Sequence, residues 1–548
     1  MYDLIIKNGK IADGTGGPWF QADIGVIDGK IATIGKLDEA ESIEVIDAKG
    51  LVVAPGFIEI HSHADFILPT DSTLSVLEGF LKQGITTVVT GNCGLSPFPL
   101  EDETRALLDG YTAFFQGEQL EFNWRSTGEY LDVIEKKGSY WNVIPMIGHG
   151  PLRICTMGFE ARQATKAELD KMRRLCAEAM EEGAFGLSAG LIYAPGMYAD
   201  TNELIEITKP LQKHNGYFSA HIRGSSDSGF FATDELIQIA KANEIRVQNS
   251  HMEVFGKSFW YLTEDRIAMY ETARRQGYDM GFDVIPYTSA NTTLGAAFPG
   301  YAFEGGVPGF IRRMNDKEMR AKIKHDALHM KSDWPTWGPN DCAHNFVRST
   351  GYDNVYLIWV GSEKNQKYMG KNMIEIGKMM GVDPFDAAAD IFVEENGAAL
   401  ALYYGVSGDA QDDYALRTVV AHPLASINTD AILTGKGIPH PAGVGAFPKV
   451  LGYFCRDLGL FSMEEAVRKM TSMSAQRVGV YDRGIIRENL WADITIFEFD
   501  MVRDNTTFDN PKAPPDGIKY VIVNGKVVVK DNVIDVSAKH GKILRKGK

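Results

Sequence analysis

The stretch Pro55-Gly56-Phe57-Ile58-Glu59-Ile60-His61-Ser62-His63-Ala64-Asp65 decides the fold. A short apolar run stops at two histidines spaced i and i+2. On a strand those two side chains point to the same side, so both imidazoles reach one point. The same design recurs downstream. Apolar runs at Leu51–His63, Ile85–Cys93, Trp141–His149, Phe185–Ala189, Gly216–His221, Ile245–His251, Tyr278–Pro286 and Leu424–Asp430 read as strands. Most of them end on a residue able to bind a metal or move a proton.

Between these runs lie amphipathic patterns. Thr165 to Gly183 carries apolar residues at helical spacing and ends on a C-cap glycine. Ser462-Met463-Glu464-Glu465 has the capping-box form of a helix start. Eight strand-then-helix units predict an α/β chain closed into a (β/α)8 TIM-type barrel. The interval before the eighth strand is too long for one unit. From about 288 to 381 it contains Pro-Gly pairs and the run Asp333 to Pro339 (DWPTWGP), and reads as an insertion over the barrel mouth.

The two ends of the chain share another pattern. Asn8-Gly9, Asp28-Gly29 and Asn524-Gly525 each sit between β-prone runs, the local signal for a hairpin with a type I′ turn. Residues 492–499 alternate as a half-buried strand. A small β-sandwich domain assembled from both termini is expected, with boundaries at 1–54 and 481–548 around a barrel of 55–480.

Composition narrows the functional classes. With 548 residues, 44% of them hydrophobic, the chain is long enough for several structural units. The formal net charge of −16 does not favour nucleic acid or an anionic membrane as partner. No apolar run reaches the roughly 18–20 residues that span a bilayer, and no secretory signal is visible at the start. The sparse, odd set Cys93, Cys155, Cys176, Cys342 and Cys455 points to reduced thiols and a cytoplasmic location. An oligomer is compatible with the sequence.

The chemistry gathers at the strand ends. His61 and His63 close the first, Cys93 the second, His149 the third, His221 the fifth, His251 the sixth and Asp430 the eighth. Each alone has a plain explanation: a core histidine, a small buried cysteine, a helix-capping aspartate. Jointly they point to a metal, because a barrel brings these ends to one face. Imidazole and thiolate suit Zn²⁺. Cys93, His221 and His251 supply three ligands and leave a fourth position for water, as catalytic sites do. His61 and His63 either complete that site or hold a second ion. Asp430 is the candidate to take a proton from the water and return it to a leaving group. Asp65 and Asp283 are candidates to orient ligand histidines.

These motifs resemble the amidohydrolase superfamily, and within it the N-acyl-D-amino-acid deacylases. The resemblance rests on PGFIEIHSHAD (Pro55–Asp65), GITTVVTGNCG (Gly84–Gly94), IGHGPLR (Ile147–Arg153), GAFGLSAGLIYAPG (Gly183–Gly196), SAHIR (Ser219–Arg223), NSHME (Asn249–Glu253), DVIPYTSANTTL (Asp283–Leu294), NTD (Asn428–Asp430) and HPAGVGAFPKVLGYFCRD (His440–Asp457). It implies one tight Zn²⁺ on Cys93, His221 and His251, a weaker second position at His61 and His63, and Asp430 as catalytic aspartate. The implied reaction is hydrolysis of the amide of an N-acyl-D-amino acid, with a small-molecule amide as the partner. Tyr193, Arg223 and Tyr287 match substrate-binding places, and His149 either polarises the carbonyl or braces a turn.

Two positions depart from that family. Where it has a lysine two residues after the sixth-strand histidine, this chain has Glu253. Where it has arginine in a His-Pro-Arg run, this chain has Ala442. Both family residues hold the substrate's α-carboxylate. Either Arg223, Lys436 or a cation of the insertion has taken over, or the substrate is an N-acyl amine or other amide without that carboxylate. A cyclic-amide hydrolase is chemically close, but the bridging lysine expected in the fourth strand is missing. A deaminase lacks its His-x-x-Glu pair here, and a non-enzymatic scaffold would not need an open ligand position.

Overall fold

The computed structural model describes residues 1–116, 120–331 and 344–547. The run Asp333 to Pro339 and Cys342 lie outside them.

Eight parallel strands form the barrel: Phe57–Glu59, Ile85–Thr90, Asn142–Pro145 continued by Ile147–Gly148, Gly186–Gly190, Tyr217–His221, Arg246–Asn249, Met280–Val284 and Ala425–Ile427. The ring closes between the eighth strand and the first. There the Asp430 amide donates to the His61 carbonyl at 3.2 Å. Glu59 strengthens this seam by accepting from the amides of His61 at 2.8 Å and Thr429 at 2.7 Å. All eight strands are buried on both faces, which is why they read as near-continuous apolar runs rather than alternating ones. The helix Lys166–Glu182 begins with a full capping box between Thr165 and Glu168.

The first apolar run splits in two. Val52–Pro55 pairs antiparallel with Ile494–Phe497 of the small domain, and only Phe57–Glu59 enters the barrel. Gly56 is the pivot: a side chain there would lie 2.2 Å from Thr86 Oγ1. Strands from both termini make one nine-stranded sheet. Tyr2–Ile11 pairs with Phe20–Ile27 on one edge and with Ser42–Asp47 and then Val52–Pro55 on the other. That fork gives the two layers of the β-sandwich, with Leu4, Ile6, Ile24, Val53, Ile494 and Ile522 in the shared core.

The Asp28-Gly29 and Asn524-Gly525 turns close hairpins with φ of 51° and 76°, and 47° and 79°. Asn8-Gly9 does not. Tyr2–Ile11 runs straight through it with a bulge between Ile6 and Gly9. The Asn8 amide is held by Asp23 and its side chain by Asp47, and a Cβ on Gly9 would sit 2.6 Å from Val53. The chain end also leaves the small domain. Lys542, Ile543 and Leu544 pair with Val143 at the start of the third barrel strand.

Between the seventh and eighth strands, Ser289–Thr293, Val355–Val360 and Ala399–Tyr404 form an antiparallel sheet. Its central strand, Ala399–Tyr404, lies beyond residue 381. This sheet and its helices roof the barrel mouth, bringing Asn291, Thr292, Phe346 and Tyr403 to the pocket there. No helix of the described residues is long and apolar enough to cross a membrane.

Candidate active site

The strand ends deliver their side chains through a strained backbone. Cys93, His251 and Asp430 have φ of 50°, 35° and 43°. Left-handed geometry costs a non-glycine residue about 1–2 kcal/mol, so each needs an external hold. The amide of Gly94, next to Cys93, donates to Ser188 Oγ at 2.9 Å. The His251 amide donates to Asp283 at 2.8 Å, and Asp430 is pinned to the His61 carbonyl. Asp283 is fixed in turn by Gln248 at 2.8 Å and by Asn428.

Six side chains then converge. The ligand atoms of His61, His63, Cys93 and Asp430 lie within 4.8 Å of one another, as do those of Cys93, His221 and His251. All six residues are buried. Donors on a tetrahedral zinc with bonds of about 2.0–2.3 Å sit roughly 3.5 Å apart. Cys93 Sγ is 3.5 Å from His251 Nε2 and 4.0 Å from His221 Nδ1. On the other side Cys93 Sγ lies 3.1 Å from His61 Nε2, and Asp430 Oδ1 lies 3.2 Å from both His61 Nε2 and His63 Nε2. The mixed thiolate and imidazole set fits a borderline-soft divalent ion, and Cys93 is positioned to touch two such positions.

Electrostatics agree with that fit. Burial opposes ionisation of the Cys93 thiol, but His61, His221 and His251 overcome it and hold it well below the ordinary thiol value. Burial likewise resists the Asp430 carboxylate, and His61 and His251 pull its pKa well down. Burial pushes His63 down, yet Asp430 and Cys93 raise it to about 9. Protons on the imidazoles stand where a cation would balance the thiolate and carboxylate.

The candidate substrate residues divide. Tyr193 lines the pocket: its ring packs 5.3 Å from that of His221, and its hydroxyl shares a 2.6 Å hydrogen bond with Thr292. Glu253 also lines it, with Oε1 3.2 Å from His251 Nδ1. Arg223 is engaged elsewhere. Its guanidinium binds Glu235 at 2.9 Å and the carbonyls of Met197 and Ala199, with 1% exposure. Tyr287 donates to Asp504 at 2.7 Å under Lys449. His149 Nε2 lies 2.8 Å from Glu203, which also binds Arg153. Lys436 is exposed and lines a separate surface cleft. Of the two acidic candidates, Asp283 braces the ligands, whereas both Asp65 oxygens lack a hydrogen-bond partner. Glu59, Phe115 and Thr292 were not singled out from sequence. Glu59 had a signal, since it shares a strand face with His61; the other two depend on long-range packing.

A family model described as the amidohydrolase family matches residues 44–296 and 371–529. An N-acyl-D-glutamate deacylase and a D-aminoacylase, both of Alcaligenes xylosoxydans xylosoxydans, are each 30% identical to the chain. They cover 99% and 96% of it, and 96% and 94% of their own lengths. A solved N-acyl-D-glutamate deacylase from Bordetella bronchiseptica, complexed with zinc and a phosphonate inhibitor, matches with TM-score 0.81 at 28% identity over 99% of both chains. An L-hydantoinase from Arthrobacter aurescens, at 15% identity and TM-score 0.54 over 100% of both chains, shares the fold. Matched on both sides of its inserted segment and over nearly its whole length, the chain belongs to the amidohydrolase family.

Proposed function

We propose that the chain is a zinc-dependent hydrolase of linear carbon–nitrogen amide bonds. Cys93, His221 and His251 hold the tight ion, and His61 and His63, with Cys93 and Asp430, form the weaker second position. The observation that carries this reading is the convergence of these donors with Asp430 inside one pocket. The ion, when bound, supplies Lewis acidity that activates a water and polarises the amide carbonyl. Asp430 then accepts the water's proton as the carbon–oxygen bond forms. It returns that proton to the nitrogen as the carbon–nitrogen bond breaks, giving a carboxylate and an amine. Asp430 Oδ1 lies 3.2 Å from Nε2 of both His61 and His63, so its carboxylate stands beside the second position that they would hold. Glu253 holds the His251 ring from its Nδ1 side, leaving Nε2 for the ion.

The test uses Asp430→Asn. Loss of a positioned general base costs about 10²–10⁴ in rate. We expect that loss in kcat with zinc content unchanged. Wild-type turnover in the folded variant would refute the role. Chelation should also abolish activity, with recovery on added Zn²⁺.

A second reading concerns the substrate. The named relatives act on N-acyl amino acids, which carry an α-carboxylate. Here Glu253 lines the pocket and Arg223 is bound to Glu235. Ala442 is buried at a helix start and brings no charge. A carboxylate facing Glu253 in a dry pocket would be repelled. These observations favour an amide without the carboxylate. Glu253→Lys with Ala442→Arg should then raise turnover of N-acetyl-D-amino acids per bound zinc; unchanged or lower activity in the folded, zinc-replete double variant counts against it.

A further inference from the structure

Beside the metal pocket lies a second cavity of about 190 Å³, against about 20 Å³ for the pocket itself. The two share Leu95 and Tyr193. None of the described residues lining the larger cavity is charged; its walls are aromatic and small residues such as Phe114, Phe159, Phe303, Gly110 and Ala296. At its outer end Ala106, Leu107 and Pro308 are exposed, so it opens to the surface there, while Leu95 and Tyr193 border it on the side of the metal pocket. Among the described residues lining either cavity there is no Lys or Arg, and the acidic groups are Glu253 and Asp430. Segments 117–119 and 332–343 contain no Lys or Arg in their sequence either.

From this we infer that the substrate is a neutral amide whose acyl half carries an extended apolar group, arylalkyl or medium-chain aliphatic, seated in the larger cavity. This rests on the amide-hydrolase reading above. Volume supports it: an apolar cavity of about 150 Å³ takes up benzene in water, and this one is larger. Orientation follows from which histidines border each part. Tyr193 packs on His221 and leads into the cavity, whereas Asp430 contacts His61 and His63. Asp430 must reach the leaving nitrogen, so the amine half lies toward Asp430 and the acyl half toward Tyr193. An anionic group has no counter-charge along this path.

Gly110 gives a clean test. It lies within the helix Arg105–Thr112, and a Cβ built there meets nothing within 4 Å. Gly110→Phe therefore adds a ring at the cavity wall with no clash at its Cβ. The zinc-loaded full chain is titrated calorimetrically with 4-phenyl-1-butanol, a neutral probe that cannot be hydrolysed. Burying an aromatic ring is worth about ten- to a hundredfold in affinity, so Gly110→Phe should weaken binding by that factor. The exposed-site variant Ala106→Trp, which narrows the mouth without touching the core, should weaken it as well. In turnover, N-methyl-4-phenylbutanamide should exceed N-methylacetamide at least tenfold in kcat/KM, and Gly110→Phe should collapse that ratio. No binding by wild type, or wild-type affinity in both folded variants, overturns the cavity assignment. Preference for N-(3-phenylpropyl)acetamide over its reversed partner N-methyl-4-phenylbutanamide overturns the acyl orientation. Higher turnover of N-(4-phenylbutanoyl)-D-alanine than of the neutral amide overturns the exclusion of carboxylates. Variant-sensitive probe binding with no amide hydrolysed at all would leave the cavity intact and sink the amide-hydrolase reading instead.

Discussion

This barrel holds two buried clusters of ionisable side chains, one on the helices His149–Met157 and Thr201–Lys213 that follow its third and fourth strands and one at its strand ends, and they are built on opposite principles. In one, His149, Arg153 and Glu203 neutralise each other: Glu203 accepts from His149 at 2.8 Å and from Arg153 at 2.5 Å. Burial raises the Glu203 pKa, but Arg153 and His149 bring it down to about 2. In the other, His61, His63, Cys93, His221, His251 and Asp430 aim their donor atoms at common points, on a backbone held in left-handed geometry at three places. A cluster that balances its own charge, with one carboxylate oxygen given to each partner, braces the scaffold. A cluster with converging lone pairs and strained supports is arranged around something it must bind.

The contrast breaks first at Cys93. Cys93→Ala should empty the tight site and lower kcat/KM by roughly a thousandfold or more, the scale of metal Lewis-acid stabilisation. Full zinc content by elemental analysis would remove Cys93 from the ligand set. The braced cluster should respond in stability instead. Glu203→Gln leaves Arg153 buried without its carboxylate, and breaking one side of a buried pair costs about 3–5 kcal/mol. Denaturant melts should show that loss with zinc stoichiometry unaltered; a loss of zinc would mean that the two clusters are coupled.

The smallest effect is on pH. His61, His63 and His251 have raised pKa values, His63 to about 9. Each must shed its proton before it can ligate, so protons compete with the ion. Zinc affinity at the weaker position should rise with pH up to about 9, by up to tenfold per unit as His63 releases its proton. His149, whose pKa burial lowers, should leave no trace in that titration. A flat profile in competition with a chelator between pH 6 and 9 would erase this difference between the clusters.

What was legible in the sequence follows the same division. Barrel strands and their terminal residues were readable because both are local: an apolar run, then His, Cys or Asp. The hairpins at Asp28-Gly29 and Asn524-Gly525 were readable for the same reason. Asn8-Gly9 misled because Asp23, Asp47 and Val53 hold it in a bulge, and those contacts are not local. Side-chain direction was the least accessible feature. Arg223 turns to Glu235, Tyr287 to Asp504 and His149 to Glu203. Motif position puts such residues near the barrel mouth, but distant partners decide where they point. The third-strand attachment of residues 542–544 is likewise invisible in an unremarkable tail.

The pairing of Val52–Pro55 with Ile494–Phe497 bears on how the chain is made. During synthesis the N-terminal strands emerge early, yet their edge stays open until almost the whole barrel has left the ribosome. An unpaired apolar edge over that interval invites association with other chains. The small domain thus stays incomplete until the barrel strands have been made, although it contains residues made before them. Its long-range pairing makes folding slow in the way that high contact order does.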